Sequence, residues 1–127
     1  MIDHVSIGVS DLARATRFYE TVLGALGYTK LDVRAKTAGF GKRYPEFWLN
    51  LRAAMTPVAS DTGCHVCLRA QDEAAVRDFH AAALAQGCSS AGDPGPRQAA
   101  MTTYFGAFIF DLDGNKIEAV TFPRNAI

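Results

Sequence analysis

Near its start the chain alternates: Val5, Ile7 and Val9 are apolar, while His4, Ser6 and Gly8 between them are polar or small. A period of two predicts a strand from Ile2 to Val9 with one buried face. At Asp11 the period changes, and Leu12, Ala15, Phe18, Tyr19, Val22 and Leu23 fall on one stripe of a helix running from about Leu12 to Leu23. Asp11 is suited to cap that helix, because its carboxylate can accept a hydrogen bond from an unpaired amide of the first turn. Gly24 and Gly27 are available to end it. The same grammar returns at His65. Val66, Leu68 and Ala70 oppose His65, Cys67 and Arg69 over a strand to Ala70; Asp72 is the next cap, and a second helix is expected from about Glu73 to Gln86, with Val76, Phe79 and Ala83 inward and Gly87 as its stop. His80 is expected on the exposed side of this helix.

His4 and His65 stand 61 positions apart (65 minus 4), and at that offset Val5 meets Val66, Asp11 meets Asp72, Phe18 meets Phe79 and Leu23 meets Leu84. Identities at equal steps of equal elements mark a duplicated supersecondary unit. After the first helix come three short strand candidates, Lys30 to Val33, Gly39 to Gly41 and Glu46 to Arg52. After the second, a segment rich in Gly, Pro and Ser, Ser89 to Thr103, reads as a loop. Strands Thr103 to Phe110 and Lys116 to Phe122 follow, joined by a hairpin turn at Asp113-Gly114-Asn115. Each copy is thus a strand and a helix followed by antiparallel strands, an α+β pattern.

A length of 127 residues suits one domain in which both copies share a core. Lysine plus arginine balance aspartate plus glutamate at 13 each, which gives no case for nucleic acid or an anionic membrane and favours a small-molecule partner. No apolar run approaches the roughly 20 residues of a membrane span, and MIDHVSIGVSD lacks an export pattern. Three cysteines, an odd number, fit a reducing compartment, and a cytoplasmic location is expected. Cys64 and Cys67 form a C-x-x-C, but residues three apart on a strand point to opposite faces, which argues against a zinc or redox pair.

With both helices on one side of the sheet, the other face of each opening strand is free to line a cavity, and His4 and His65 occupy equivalent places on it. On the last strand Ile117 and Ala119 alternate with Lys116, Glu118 and Val120. A carboxylate buried there unpaired costs several kcal/mol, so Glu118 requires a cation. Two imidazoles and one carboxylate from three strands make a divalent-metal set with open positions.

The segments HVSIGVSDLARATRFYETVLG, HVCLRAQDEAAVRDFH and DLDGNKIEAV resemble the signature segments of the vicinal oxygen chelate superfamily, which includes glyoxalase I, extradiol dioxygenases, fosfomycin- and bleomycin-resistance proteins and methylmalonyl-CoA epimerase. The resemblance implies two tandem βαβββ modules, about 1–58 and 59–127, in one domain, forming a curved mixed-sheet cup with helices on its outer face. It implies a divalent metal (Zn, Ni, Mn or Fe) held by His4, His65 and Glu118, and a homodimer. It further implies a glyoxalase-like lyase or isomerase whose substrate chelates the metal through neighbouring oxygens, with Glu118 as catalytic base as well as ligand. An extradiol-type dioxygenase and a metal-free bleomycin-resistance-like binding protein are the alternatives. Some members take a fourth ligand from the first module's last strand. Laying EFWLNL over NKIEAV puts Leu49 opposite Glu118, with Trp48 or Asn50 there after a one-residue slip, so three protein ligands are expected.

Candidate substrate contacts are Arg97, whose fork could hold a carboxylate or phosphate; Tyr104, a phenol donor; Arg69, on the parity of His65; and Trp48. Phe47, Phe105 and Phe108 are core or cavity wall according to parity. Ser89 to Thr103 is expected as a surface loop or a rim over the cavity mouth. Whether a site draws its ligands from one chain or two is left open by the sequence.

Overall fold

In the computed structural model of the chain, which describes residues 1–123, the duplication is plain. The first module is β1 (Val5–Val9), α1 (Leu12–Gly24), β2 (Thr29–Val33), β3 (Thr37–Gly41) and β4 (Phe47–Leu51). The second is β5 (Val66–Arg69), α2 (Glu73–Ala85), β6 (Ser89–Gln98), β7 (Thr103–Phe110) and β8 (Lys116–Thr121). Each module makes a four-stranded mixed sheet, ordered β1-β4-β3-β2 and β5-β8-β7-β6, with the opening strand parallel to the last. These are the two tandem βαβββ modules of an α+β fold.

The caps form as the sequence dictates. Asp11 accepts from the Arg14 amide at 3.0 Å, and Asp72 accepts from the Ala75 amide at 2.9 Å. Phe18, Tyr19, Val22 and Leu23 of α1, with Val76, Phe79 and Ala83 of α2, are buried against Leu49, Ile109, Ile117 and Ala119 of the sheets. Phe47 and Phe105 belong to this core, whereas Trp48 and Phe108 are half-buried on the opposite face. No helix of the described residues is long and apolar enough to cross a membrane.

Two expectations are corrected. Ser89 to Gln98 is not a loop but β6, a ten-residue edge strand paired with β7 and irregular between Ser90 and Gly95. An edge strand needs its amides on one side only, so Pro94 and Pro96 are tolerated there, and the bulges absorb the remaining mismatch. His80 is not on an exposed side either. It is buried, with Nε2 2.8 Å from Ser90 Oγ, and Ser90 Oγ donates onward to Asp93 at 2.7 Å, so β6 covers the histidine that α2 presents.

The modules are joined through a buried polar seam at the β7–β8 turn. Asp111 accepts from the Tyr19 hydroxyl at 2.6 Å, from the amides of Asp113 and Asn115 at 2.9 Å each, and from Asn115 Nδ2 at 3.0 Å. Asn115 Nδ2 also donates to the Gly8 carbonyl at 2.9 Å, and the Asp113 carboxylate accepts from the Ser10 amide at 3.1 Å. Gly114 takes φ 90°, and a Cβ there would stand 2.6 Å from the Val58 carbonyl oxygen, so the turn admits only glycine. Burial raises the Tyr19 pKa well above its ordinary value, and Asp111 adds to the rise, so the phenol keeps its proton and donates.

Replacing Asp111→Ala orphans four donors, one of them a buried phenol, and is expected to cost roughly 2–4 kcal/mol in urea unfolding, against about 1 kcal/mol for Tyr19→Phe. Equal losses in the two variants would contradict the seam. Burial also lowers the His80 pKa, although Asp93 pulls the other way. The unfolded histidine then binds protons more tightly than the folded one, so stability present above its ordinary value of 6.5 is lost as the pH falls through the folded value. The stability difference between the parent and His80→Gln is expected to narrow between pH 7.5 and about pH 5, measured as urea midpoints.

Candidate metal centre

The site is built on the parity of β8. Ile117 and Ala119 are fully buried toward the helices, which turns Lys116 and Glu118 to the other face. In the parallel β5–β8 pair, Val66 stands beside Ile117 and Cys67 beside Glu118, so His65, one residue earlier, falls beside Lys116. Across β7, Phe108 stands beside Glu118.

Glu118 is 4% exposed, and both of its oxygens are engaged: Oε1 lies 2.9 Å from His65 Nε2, and Oε2 accepts from the Tyr104 hydroxyl at 3.1 Å. The His65 ring stands edge-on to Phe108 at 5.3 Å between centroids. Burial, then the charge of Glu118, pushes the Cys67 thiol up to about 12 and raises Tyr104 as well. Both groups therefore keep their protons at neutral pH, and the carboxylate sits among protonated neighbours. An imidazole nitrogen and a carboxylate oxygen side by side are donor types that Zn, Mn, Ni or ferrous ion accepts.

The equivalent place in the first module is different. Ser6, the counterpart of Cys67, pairs with Trp48, and Trp48 in turn pairs with Gly39. Trp48 thus occupies the position of Glu118, and Leu49, which the sequence overlay placed there, is fully buried in the core. The overlay was off by one residue, and in a strand one residue is the difference between faces. A side chain at Gly39 would stand 2.9 Å from the indole, so the glycine is what seats the ring against the strand. An indole offers no ligand, and this strand position supplies no fourth donor.

His4 does not join His65. It precedes β1, its side chain is 52% exposed, and its Nδ1 lies 2.7 Å from Asp3. The Val5 amide bonds to the Glu46 carbonyl; Glu46 shares a small cavity with Tyr28 and Leu68, and the Tyr28 hydroxyl donates to the Arg69 carbonyl, at the far end of β5. The other end of β1 is tied to Asn115, which shares a cavity with His65. The two histidines of one chain therefore lie at opposite ends of the contact between modules. Among the described residues no three His, Cys, Asp or Glu side chains come together to hold a metal.

The remaining candidates are distributed around Glu118. Arg97 donates to the carbonyls of Gly95 at 3.0 Å and Asp93 at 2.8 Å and to that of Gly106, and stacks on Phe108. Its fork ties β6 to β7 rather than standing free for a substrate. Arg69 is exposed and lies over Phe122, and Arg34 lies over Trp48. Sequence reasoning did not single out Cys67 or Lys116 for the site, although the alternation that exposed Glu118 placed both on its face. Glu118→Gln removes one of the causes that hold the Cys67 thiol protonated. With Cys64→Ser as background, alkylation of Cys67 by iodoacetamide near pH 8.5 is expected to be several-fold faster in Glu118→Gln, and an unchanged rate would contradict the contact.

Residues 1–119 match the family model of the Glyoxalase/Bleomycin resistance protein/Dioxygenase superfamily. No curated protein matches. Among solved structures, a glyoxalase/bleomycin resistance protein from Albidiferax ferrireducens T118 superposes with a TM-score of 0.82 at 29% identity, over 93% of this chain and 96% of that one. Two others share the fold at lower identity. A glyoxalase/bleomycin resistance protein/dioxygenase family enzyme from Burkholderia phytofirmans PsJN has a TM-score of 0.68 at 16% identity, over 94% of this chain and 96% of that one. The fosfomycin resistance protein FosX from Listeria monocytogenes has a TM-score of 0.68 at 14% identity, over 99% and 96%. The duplicated fold and the family match agree, and the chain belongs to the glyoxalase/bleomycin resistance protein/dioxygenase superfamily.

Proposed function

We propose that this protein is a metal-dependent enzyme of glyoxalase-like lyase or isomerase type, and that its centre is completed between two copies of the chain. In this reading, His65 and Glu118 of one protomer and His4 of the other hold the ion, and a small substrate meets it through neighbouring oxygens. The observation that carries the reading is Glu118: a carboxylate 4% exposed, bonded to an imidazole and a phenol on the face turned away from the helices, with only two of three donors supplied locally. A surface around His4 supports a second copy, because Ile2 is 74% and Tyr44 51% exposed beside it in sequence or through Asp3. The free thiols of Cys64, Cys67 and Cys88 suit the cytoplasm.

The ion supplies Lewis acidity, stabilising negative charge on a chelating oxygen. The rest falls to the chain. Glu118 takes the proton from the hydroxyl-bearing carbon next to the substrate carbonyl and returns it to the former carbonyl carbon, while the hydroxyl proton passes to the former carbonyl oxygen, so carbonyl and hydroxyl exchange places with every atom conserved. Tyr104, protonated at neutral pH, donates its one O–H to the carboxylate and holds it in place. An extradiol-type dioxygenase would ask for a further histidine in the cup, and His80 faces β6 behind the sheet instead.

The test is thermal unfolding of metal-stripped protein with Mn, Zn, Ni or ferrous ion. A native-state ligand at about 100 times its Kd adds about 2.7 kcal/mol of stability. The gain is expected in the parent and absent from His65→Ala and from His4→Ala. Mixing those two variants restores one intact site per heterodimer, so part of the gain returns. No return on mixing would favour ligands from one chain, and no metal response in the parent would favour a metal-free binding protein.

A further inference from the structure

The face around Glu118 carries more positive charge than its one carboxylate balances. Arg97 and Lys116 both lie on the Phe108 ring, at 5.4 and 4.9 Å from its centroid, and Arg69 lies on Phe122 at 5.4 Å. None of the three cations forms an ion pair among the described residues, and both oxygens of Glu118 are already engaged by His65 and Tyr104. Cations held on aromatic rings without a counter-ion make a site for an anion.

The three are not equivalent. The Arg97 guanidinium is occupied by three backbone carbonyls, and Arg69 stands at the far end of β5. Lys116 precedes Glu118 by two residues on the same face of β8 and falls beside His65. It lines a cavity of about 130 Å³ together with the candidate ligand His65 and with Cys64, Ser60 and Thr62. Asp61 also lines this cavity but is exposed and makes no ion pair with Lys116. We propose that Lys116 anchors the oxyanion of the bound molecule, a carboxylate, phosphonate or phosphate group, in this cavity beside His65. The inference rests on the reading of this face as the ligand site, and narrows it: the substrate is an anion, and Lys116 rather than Arg97 selects it.

The test is a chemical-shift titration of the protein at constant ionic strength with acetate, methylphosphonate and inorganic phosphate, and with acetamide as a neutral match for acetate. At least one oxyanion is expected to saturate the resonances around Lys116 and His65 while acetamide does not, and the oxyanion that binds names the class. Lys116→Met is expected to weaken that binding roughly ten-fold, and Lys116→Arg to retain it. Lys116→Gln repeats the measurement should the methionine variant fold poorly. Binding of acetamide equal to that of acetate, binding unchanged in Lys116→Met, or no oxyanion binding in the parent overturns the proposal. Metal-induced stabilisation of the same proteins separates the two readings. A metal response without anion selection removes the role of Lys116 alone, and anion selection without a metal response removes the metal centre while leaving Lys116 in place.

Discussion

The hydrogen bond from Tyr19 to Asp111 is the contact on which the rest of this architecture depends. It crosses from the helix of the first module to the turn that starts the last strand of the second. The same carboxylate holds the amides of Asp113 and Asn115, and Asn115 reaches back to β1. Fixing that turn fixes where β8 begins, and on a strand the starting point decides which side chains face which way. Lys116 and Glu118 owe their shared face to it. The cost is the burial of a carboxylate, whose pKa rises through desolvation even though four donors pull it down. A buried polar group with every partner in place makes the arrangement of the two modules specific where an apolar contact would tolerate sliding.

The two modules repeat one plan, and single residues make them unequal. The second module places Glu118 opposite Cys67 and Phe108; the first places Trp48 opposite Ser6 and Gly39. The large aromatic and the vacant position have exchanged roles, so each face stays filled while only one keeps a carboxylate. In the proposed centre this asymmetry leaves a single acid. The relation of β1 to β5 accounts for the separation of the histidines: residues equivalent by repeat lie at opposite ends of the contact between modules, and a second copy is the simplest means of bringing an imidazole of the first module to one of the second.

Local pattern carried most of the fold. The alternation in Val5–Val9, the helical stripe ending at Leu23 and the capping aspartates Asp11 and Asp72 are each decided by neighbours in sequence, and all were legible. What was not legible depends on partners far along the chain. The register of β4 is set by hydrogen bonds to β1 and β3, so an overlay of two six-residue strings misplaced Trp48 by one position. β6 carries two prolines and reads as a loop until its pairing with β7 shows that an edge strand can hold them. His80 looked exposed because the strand that buries it is that same β6. Arg97 looked free because its acceptors are backbone carbonyls, which no residue pattern announces. Glu118 was legible because a charged residue within an alternating apolar strand has few stable explanations.

The claim at the centre of this account is a metal held by His65 and Glu118 of one protomer and His4 of a second. Anomalous diffraction at the manganese edge from crystals grown with Mn tests it most directly. The account predicts one peak per protomer within bonding distance of His65 Nε2 and a Glu118 oxygen, with the third protein ligand His4 of a neighbouring copy. A peak bonded to His4 of the same chain, or no peak at Glu118 in crystals that bind manganese elsewhere, would contradict it.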